Sequence, residues 1–318
     1  MKQILVTGAA GFIASRVCEM LLDKGESVVG LDNMNDYYDV RLKEYRLSKL
    51  TNHTNFVFYK ADIEEIEDLK PIFEKHNFRS VFNLAARAGV RYSIENPWLY
   101  LRTNTEGTLN LLELMKDFGV GKFILASTSS LYAGLPIPFD ESSNVNTPIS
   151  PYAASKHAAE AYAHSYHKQF GIDISVLRYF TVFGPGGRPD MAPYRFIKGI
   201  LEGTPIILFG DGSQTRDFTY IDDVARGTIL AEKPLGFEII NLGRGKEPVQ
   251  ISKFINWIEE LTGKKAIIQK MPFNSIDMFE TSANIDKANK ILGWIPEYNT
   301  YQGIEIILKN LELFNYSK

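Results

Sequence analysis

Short apolar runs alternate with helical patterns through the first 180 residues of the chain. Apolar residues recur at helical spacing at residues 13–22, 69–76 and 105–118. Apolar strands separated by helices are typical of a parallel sheet that helices cover on both faces. Because crossovers between parallel strands are right-handed, the pattern predicts an α/β fold with a Rossmann-like doubly wound sheet. The apolar runs that we interpret as its strands are residues 4–6, 27–31, 55–59, 81–85, 122–126 and 174–178.

The pattern changes after about Thr181, where glycine and proline become frequent and the helical patterns become shorter. We therefore expect a smaller C-terminal α/β domain that binds the substrate, next to a larger domain that binds a dinucleotide. In open α/β sheets, ligands bind in the crevice at the carboxyl ends of the strands. The predicted dinucleotide domain consists of residues 1–180 with a returning segment at about 217–245, and the substrate domain consists of residues 181–216 and 246–318.

Composition excludes several classes of protein. The 318 residues are 45% hydrophobic and 23% charged, which is typical of a globular chain and not of a disordered one. A net charge of −3 gives no reason to expect a nucleic-acid or membrane partner. No apolar run approaches the ~18 residues of a membrane span, and we expect no signal peptide. The single cysteine, Cys18, excludes an internal disulfide and a cysteine-based zinc site. We therefore expect a soluble, cytoplasmic protein without a metal.

A glycine-rich turn lies between the first predicted strand and the first predicted helix. It contains Gly8 and Gly11, and Phe12 and Ile13 open the helix. Small residues at this position let backbone amides approach a pyrophosphate at the helix N-terminus. Asp32 ends the next strand, 21 residues after Gly11, where a carboxylate accepts hydrogen bonds from the adenosine ribose. Because this carboxylate would repel a 2′-phosphate, the sequence predicts NAD rather than NADP.

Tyr152 and Lys156 are four residues apart, so they share one face of a predicted helix. A lysine beside the phenol favours the phenolate, which makes Tyr152 a candidate general base for a sugar hydroxyl. Lys156 is also a candidate to hold the nicotinamide ribose. A hydroxyl-rich segment, residues 127–130, follows the fifth strand and can orient the reacting hydroxyl.

These motifs together resemble the extended short-chain dehydrogenase/reductase family, over residues 4 to about 296. Besides the residues described above, segments 83–86 and 178–180 also match motifs of this family. Members of this family act on nucleotide sugars with tightly held NAD. The resemblance implies that Thr128 is the catalytic hydroxyl beside Tyr152 and Lys156. The predicted cofactor-binding residues are Gly8, Gly11, Phe12, Ile13, Asp32, Asn33, Asn35, Asp62, Ile63, Leu84, Ala85, Ala86, Asn104, Ser127, Tyr152, Lys156 and Tyr179.

The two residues after Thr128 bear on the reaction. Dehydratases of the family carry an acidic pair there, and decarboxylating relatives carry a glutamate. Here the positions are Ser129 and Ser130, which supply no acid for elimination. Reversible oxidation with return of the hydride remains, which is epimerisation. A decarboxylase or a dehydratase would need an acid from outside this segment.

Segments 33–39, 85–93 and 178–192 resemble loops of the UDP-glucuronate 4-epimerases within that family. Arg188 matches the arginine that contacts the sugar carboxylate there, and a guanidinium suits a carboxylate bidentately. The alternative interpretation is that Arg188 is a solvated surface arginine, which is common in Gly-rich loops. Arg216 is the candidate for the UDP phosphates. The predicted substrate-binding residues are Arg87, Gly89, Val90, Arg91, Thr128, Ser129, Ser130, Thr181, Arg188, Arg216 and Asp277.

The sequence therefore predicts an NAD-dependent enzyme that inverts C4 of UDP-glucuronate through a 4-keto form. The alternatives are a 4-epimerase of neutral UDP-hexoses, such as UDP-glucose or UDP-N-acetylglucosamine, and an NAD-binding regulatory module without catalysis.

Two helical patterns, at residues 99–118 and 152–170, carry apolar or small residues on more than one side. This predicts a homodimer that forms through these helices.

Overall fold

The computed structural model describes residues 2–273 and 276–312, so residues 1, 274, 275 and 313–318 of the two predicted domains lie outside the described part. The strands are β1 (Gln3–Thr7), β2 (Val28–Asp32), β3 (Phe56–Lys60), β4 (Phe78–Asn83), β5 (Lys122–Thr128), β6 (Asp173–Tyr179), β7 (Thr181–Phe183), β8 (Ile206–Phe209), β9 (Thr215–Arg216), β10 (Phe218–Tyr220), β11 (Phe237–Leu242), β12 (Val249–Gln250) and β13 (Ile268–Met271). The α-helices are α1 (Phe12–Asp23), α2 (Val40–Leu50), α3 (Ile66–Lys75), α4 (Val90–Glu95), α5 (Pro97–Tyr100), α6 (Gly107–Phe118), α7 (Pro151–Phe170), α8 (Ala192–Glu202), α9 (Ile221–Leu230), α10 (Ile251–Thr262), α11 (Asp286–Leu292) and α12 (Thr300–Leu308).

The central sheet is parallel. In the described part of the chain its seven strands have the order β11-β6-β5-β4-β1-β2-β3. The chain builds outward from β1 to β3 and then returns to the other side of β1 with β4. This reversal opens a crevice at the carboxyl ends of β1 and β4. The predicted doubly wound sheet is confirmed.

Two apolar layers cover the sheet because its strands are apolar on both faces. One face packs on α1 and α9, with Val17, Leu21 and Val224 fully buried. The other face packs on α3, α6 and α7, where Leu111 and Ala159 are fully buried. Both layers consist mainly of apolar side chains, and the polar side chains that form the site lie at the strand ends.

A second core lies beyond the carboxyl edge of the sheet. It joins β7, α8, α10 and α12 through Phe183, Ile197, Phe254 and Ile307. Short strand pairs, β7 with β10, β8 with β13 and β9 with β12, connect its parts. Between these segments the chain returns to the large sheet with α9 and β11. The second core therefore stands over the strand ends and forms the far wall of the crevice.

The helix predicted at residues 105–118 begins later than the pattern indicated. Residues 101–106 form a π-helical stretch, and α6 starts at Gly107. The π-helix turns the side chain of Asn104 into the space between α7 and the loop after β4, where it makes hydrogen bonds to both. Insertions of this kind often mark functional sites.

The fourth strand also ends earlier than predicted, at Asn83. After Asn83 the chain crosses the glycine turn, and the amide of Ala85 donates to Thr7 Oγ1 at 3.1 Å. None of the helices in the described part of the chain has the length and apolar character that crossing a bilayer requires.

Candidate active site

Two adjoining clefts lie at the carboxyl edge of the sheet, and they share one wall. The first runs along the glycine turn and the ends of β2 and β4. The second lies between the end of β5 and the second core. The residues that line both clefts are Phe12, Ile13, Ala88, Ser127, Tyr152, Tyr179 and Arg188.

The glycine turn brings backbone close to the first cleft. Gly8 has a φ of +72°, and a Cβ there would lie 2.9 Å from the backbone of Ala85. A Cβ on Gly11 would lie 2.9 Å from the carbonyl oxygen of Gly8. Helix α1 begins at Phe12 with no side-chain cap and no acidic residue in its first turn. Its N-terminal amides and dipole are therefore left for an anion.

The Asp32 carboxylate is fixed at the end of β2. It accepts hydrogen bonds from the amide of Ala10 at 3.2 Å and from the amide of Met34 at 2.8 Å. The ammonium of Lys43, on α2, lies 3.4 Å from it, and both side chains are buried. Asp32 therefore faces the cleft in one orientation, as a ribose acceptor requires.

Three further polar side chains line the same end of the first cleft. Asn33 donates to Asp62 at 2.7 Å, and Asn35 donates to Asn33 at 2.6 Å. Asp62 also accepts from the amide of Glu64 at 3.1 Å. The apolar side of this end is Ile63, which packs against Gly107. A polar edge beside an apolar surface suits a nucleotide base.

The loop after β4 carries Arg87, which the structure places in the wall of the first cleft and not the second. The sequence had suggested substrate binding for this residue. Its backbone is clamped by Asn104, which accepts from the amide and donates to the carbonyl, both at 2.9 Å. Asn104 itself lies behind the cleft, so it positions the loop rather than lining the cofactor site. Arg87 Nε is buried and has no hydrogen-bond partner in the described part of the protein.

The first cleft fits a dinucleotide on these observations. An uncapped helix N-terminus beside a glycine turn and an unpartnered guanidinium nitrogen both suit a pyrophosphate. The fixed carboxylate of Asp32 suits a ribose diol. Residues predicted for the cofactor, apart from Asn104, line this cleft.

Helix α7 carries the predicted catalytic pair. Ser150 caps its N-terminus by accepting from the amide of Ala153 at 3.1 Å, and Pro151 occupies the first turn. One turn apart, Tyr152 lines both clefts and Lys156 lines the first. Lys156 is 2% exposed and donates to the carbonyl of Ala126 at 2.9 Å. This bond fixes the helix against the end of β5.

The environment of Tyr152 differs in part from the prediction. Burial raises the pKa of Tyr152, while a hydrogen bond with Thr128 and the charge of Arg188 lower it. Lys156 is bound to the Ala126 carbonyl and not to the phenol. Burial lowers the pKa of Lys156 to about 8, against the influence of Glu160. The groups that favour the phenolate in the free protein are thus Thr128 and Arg188.

The second cleft holds two arginine–carboxylate pairs, one toward each end. Arg188 Nε and Nη2 contact the two carboxylate oxygens of Asp190 at 3.0 and 2.5 Å, and Nη2 also donates to the carbonyl of Ala88. Arg91 is paired with Asp277 and stacks 3.7 Å above the ring of Phe209.

Arg216 lies near the second of these pairs. Burial and the neighbouring Arg91 lower the pKa of Arg216, and Asp277 opposes them. Two arginines close enough to influence each other attract an anion with more than one charge, such as a diphosphate. Gly89, Val90, Ser129, Ser130 and Thr181 line the same cleft.

Several lining residues were not predicted from the sequence, among them Lys43 and Tyr100. Lys43 lies on the buried side of α2, beside Leu42 and Arg46. A cation among the apolar positions of an amphipathic helix is the signal that could have revealed it. Tyr100 packs edge-to-face on Tyr152, with ring centroids 5.9 Å apart, and gave no such signal.

A fixed phenol, an adjacent hydroxyl and a buried ammonium stand between a dinucleotide cleft and a cleft for a polyanion. This arrangement defines a dinucleotide-dependent oxidoreduction site for an anionic substrate. A family model described as the NAD dependent epimerase/dehydratase family matches residues 4–243, which is more than half of the chain. The chain belongs to the NAD-dependent epimerase/dehydratase family.

Individual relatives are similar over their full length. A UDP-glucuronate 4-epimerase of Thermodesulfobacterium geofontis (strain OPF15) is 55% identical across all of both chains. The crystal structure of UDP-glucuronic acid 4-epimerase from Bacillus cereus in complex with UDP-glucuronic acid and NAD has a TM-score of 0.92 at 39% identity, over 98% of this chain and 99% of that chain. The UDP-glucose 4-epimerase of Thermus thermophilus in complex with NAD has a TM-score of 0.89 at 31% identity, with the same coverage.

We predict that Asp32→Asn weakens NAD binding by about tenfold, because an amide loses part of the charge-assisted hydrogen bonding to the ribose. The same change is expected to narrow the preference for NAD over NADP, since it removes the repulsion of a 2′-phosphate next to Lys43. Calorimetry of both nucleotides with nucleotide-free protein measures the two effects. Asp36→Asn, an exposed carboxylate in the same loop, is the matched control. An unchanged preference in Asp32→Asn would contradict the assignment.

Proposed function

We propose that this protein is an NAD-dependent UDP-glucuronate 4-epimerase. The observation that carries the proposal is the shared wall of the two clefts. There Tyr152 stands beside a guanidinium, Arg188, which suits a sugar carboxylate, and Thr128 bonds to Tyr152 from the second cleft. The similarity to UDP-glucuronate 4-epimerases over the whole chain supports the same substrate. NAD supplies the redox chemistry when bound: it accepts a hydride from C4 of the sugar and returns it, so that the sugar passes through a 4-keto form.

The roles of the residues that hold NAD follow from the first cleft. The N-terminus of α1 and Arg87 bind the pyrophosphate, and Asp32 binds the adenosine ribose. Asn33 and Asp62 form the polar edge of the base site. Lys156, fixed on the Ala126 carbonyl, places its ammonium where the nicotinamide ribose and ring would lie.

Tyr152 acts as the general base and acid. Its phenolate takes the proton from O4 during oxidation and gives it back during reduction. The hydroxyl of Thr128, bonded to the phenol, orients the reacting sugar hydroxyl. The hydrogen bond from Thr128 and the positive charge of Arg188 favour the phenolate, and burial keeps water away from the reacting groups.

Inversion requires the keto sugar to present its other face while the nucleotide stays bound. Arg91 and Arg216 hold the diphosphate at one end of the second cleft. Anchoring at this end lets the sugar turn about its anomeric–phosphate bonds without leaving the site.

The 4-keto sugar is a β-keto acid, and it would lose carbon dioxide if its carboxylate bond aligned with the carbonyl π system. We propose that Arg188 and Thr181 hold the carboxylate away from that alignment. The serines at 129 and 130 add hydroxyls to the same wall and no acid.

A neutral UDP-hexose is the second candidate substrate. The observation in its favour is that Asp190 already neutralises Arg188 in a bidentate pair. A glucuronate carboxylate must compete with Asp190 for this guanidinium, whereas a hexose hydroxyl need not.

We expect proton NMR to show conversion of UDP-glucuronate to UDP-galacturonate, with slower or no turnover of UDP-glucose. Tyr152→Phe should lower kcat by about 10²- to 10⁴-fold, because it removes the general base while NAD binding is retained. Tyr162→Phe is the matched control, since it removes an exposed hydroxyl from the same helix. Faster turnover of UDP-glucose would favour the second candidate, and turnover of neither sugar would refute the proposed function.

Arg188→Ala should lower kcat/KM for UDP-glucuronate by about 10- to 100-fold, as expected for the loss of a charge-assisted bidentate pair. Turnover of UDP-glucose should change much less. We also expect the variant to release UDP-pentose, because the carboxylate is no longer held. Arg188→Lys keeps the positive charge but loses the planar guanidinium that bonds a carboxylate bidentately. We therefore expect its kcat/KM for UDP-glucuronate to lie between those of the native protein and Arg188→Ala. Equal losses on both sugars, with no pentose, would argue against this role.

We also propose a homodimer through the helices next to the catalytic face. Trp98, Leu101 and Phe170 are 73%, 44% and 51% exposed, and the elements that carry them pack beside one another. Large exposed apolar residues on neighbouring helices favour an interface. Sedimentation velocity should show a dimer that Leu101→Arg dissociates, and a monomeric native protein would exclude the proposed dimer.

We further propose a cytoplasmic location. The single cysteine, Cys18, is buried and forms no disulfide, which suits a reducing compartment. Cell fractionation tests this location.

A further inference from the structure

The catalytic face of α7 continues one turn beyond Lys156, to Glu160. Tyr152, Lys156 and Glu160 are spaced four residues apart, so they lie along one side of the helix. Glu160 is 5% exposed and lines neither cleft. A charged side chain buried behind a reactive pair needs a physical reason, because its desolvation is costly.

Glu160 is held by an arginine from the neighbouring strand. Arg178, on β6, donates to it through Nε at 3.0 Å and Nη2 at 2.7 Å, and Arg178 is 2% exposed. Ser127, at the end of β5, donates to the same carboxylate. The carboxylate thus ties the catalytic helix to the two strands that end at the active site.

The network extends behind Arg178 through neutral groups. Arg178 Nη1 donates to the hydroxyl of Tyr132 at 2.9 Å, and this hydroxyl donates to Asn241 at 2.8 Å. Burial raises the pKa of Tyr132 to about 12, so its hydroxyl stays protonated. The charged members of the network are therefore Glu160 and Arg178, which form an ion pair, and Lys156, one helical turn away, feels the carboxylate only through its charge.

The groups around Lys156 come from three elements. From α7 they are Tyr152 and Glu160. From β5 they are the Ala126 carbonyl and the hydroxyls of Ser127 and Thr128. From β6 they are Arg178 and the phenol of Tyr179, whose pKa burial raises. Arg188 faces the Tyr152 end from across the cleft. Glu160 is the one anion in this set.

We propose that Glu160 is a positioning residue that keeps the Lys156 ammonium protonated in the presence of Arg178, and that it thereby sets the alkaline limit of catalysis. The proposal rests on the proposed function, in which Lys156 acts as a cation. It assigns the buried Arg178–Glu160 pair an electrostatic task in addition to packing. If Arg178 and Glu160 contributed only to packing, apolar residues of the same volume would stabilise the fold equally well.

The direction of each effect follows from Coulomb's law. Burial lowers the pKa of Lys156 to about 8, and Glu160 raises it. Without the carboxylate, burial would act on the ammonium unopposed and Arg178 would remain as an unpaired cation, so the pKa of Lys156 would fall further and the neutral amine would appear near neutral pH. Without Arg178, the carboxylate would act on Lys156 alone, so the pKa of Lys156 would rise.

The test is the pH profile of kcat for UDP-glucuronate, from about pH 6 to pH 10. Glu160→Gln should move the alkaline limb down by about one pH unit or more and lower kcat at pH 8 by about tenfold, with KM little changed. Arg178→Met should move the limb up. The double variant, which removes both charges together, should return it close to the native position and also covers the case in which a single variant does not fold.

Tyr132→Phe is the matched control. It removes a hydrogen bond from Arg178 without changing any charge, so it should reduce stability and leave the pH profile in place. Native-like profiles in both single variants, or a double variant whose profile stays as far from the native one as that of Glu160→Gln, would overturn the proposal.

A direct titration separates this proposal from the proposed function. Carbon-13 NMR of the NAD-bound protein labelled at lysine Cε reports the protonation of Lys156, whose signal is assigned by its absence in Lys156→Arg. The midpoint should fall in Glu160→Gln and rise in Arg178→Met, whichever sugar the enzyme converts. An unchanged midpoint would overturn the role of Glu160, while failure to convert UDP-glucuronate would refute the proposed function alone.

Discussion

The active site depends on a buried ammonium that joins the catalytic helix to the end of a strand. Lys156 donates to the carbonyl of Ala126 from a buried position, and this bond fixes the phenol of Tyr152 beside Thr128. An ammonium in such a place is unstable unless nearby groups keep its charge. The Glu160 carboxylate behind Lys156 helps to keep this charge by raising the pKa of the ammonium.

The same constraint applies to three arginine–carboxylate pairs in and behind the two clefts. The Arg178–Glu160 pair is permanent because no ligand reaches it, and it serves the buried lysine. The pairs of Arg188 with Asp190 and of Arg91 with Asp277 line the second cleft, where an anionic ligand can compete for the guanidinium. Internal carboxylates at these positions keep the arginines oriented and lower the cost of leaving them without a ligand.

The sheet supplies the geometry that these pairs need. Parallel strands deliver their carboxyl ends to one edge, so residues far apart in the chain meet there. Ser127 and Arg178 lie opposite each other in the register of β5 and β6, and both reach Glu160 on α7. The π-helical stretch at residues 101–106 adds a second support by turning Asn104 toward the Arg87 loop.

Local signals in the sequence were enough to predict the parallel fold, the glycine turn, Asp32 and the face shared by Tyr152 and Lys156. Each of these rests on spacing within one strand, one turn or one helix, which the chain encodes over a few residues. The partners of Lys43, Arg87 and Glu160 could not be read in this way. They depend on which strands and helices become neighbours, and that follows from the order of the sheet and the packing of its layers, where contacts join residues that are distant in the chain.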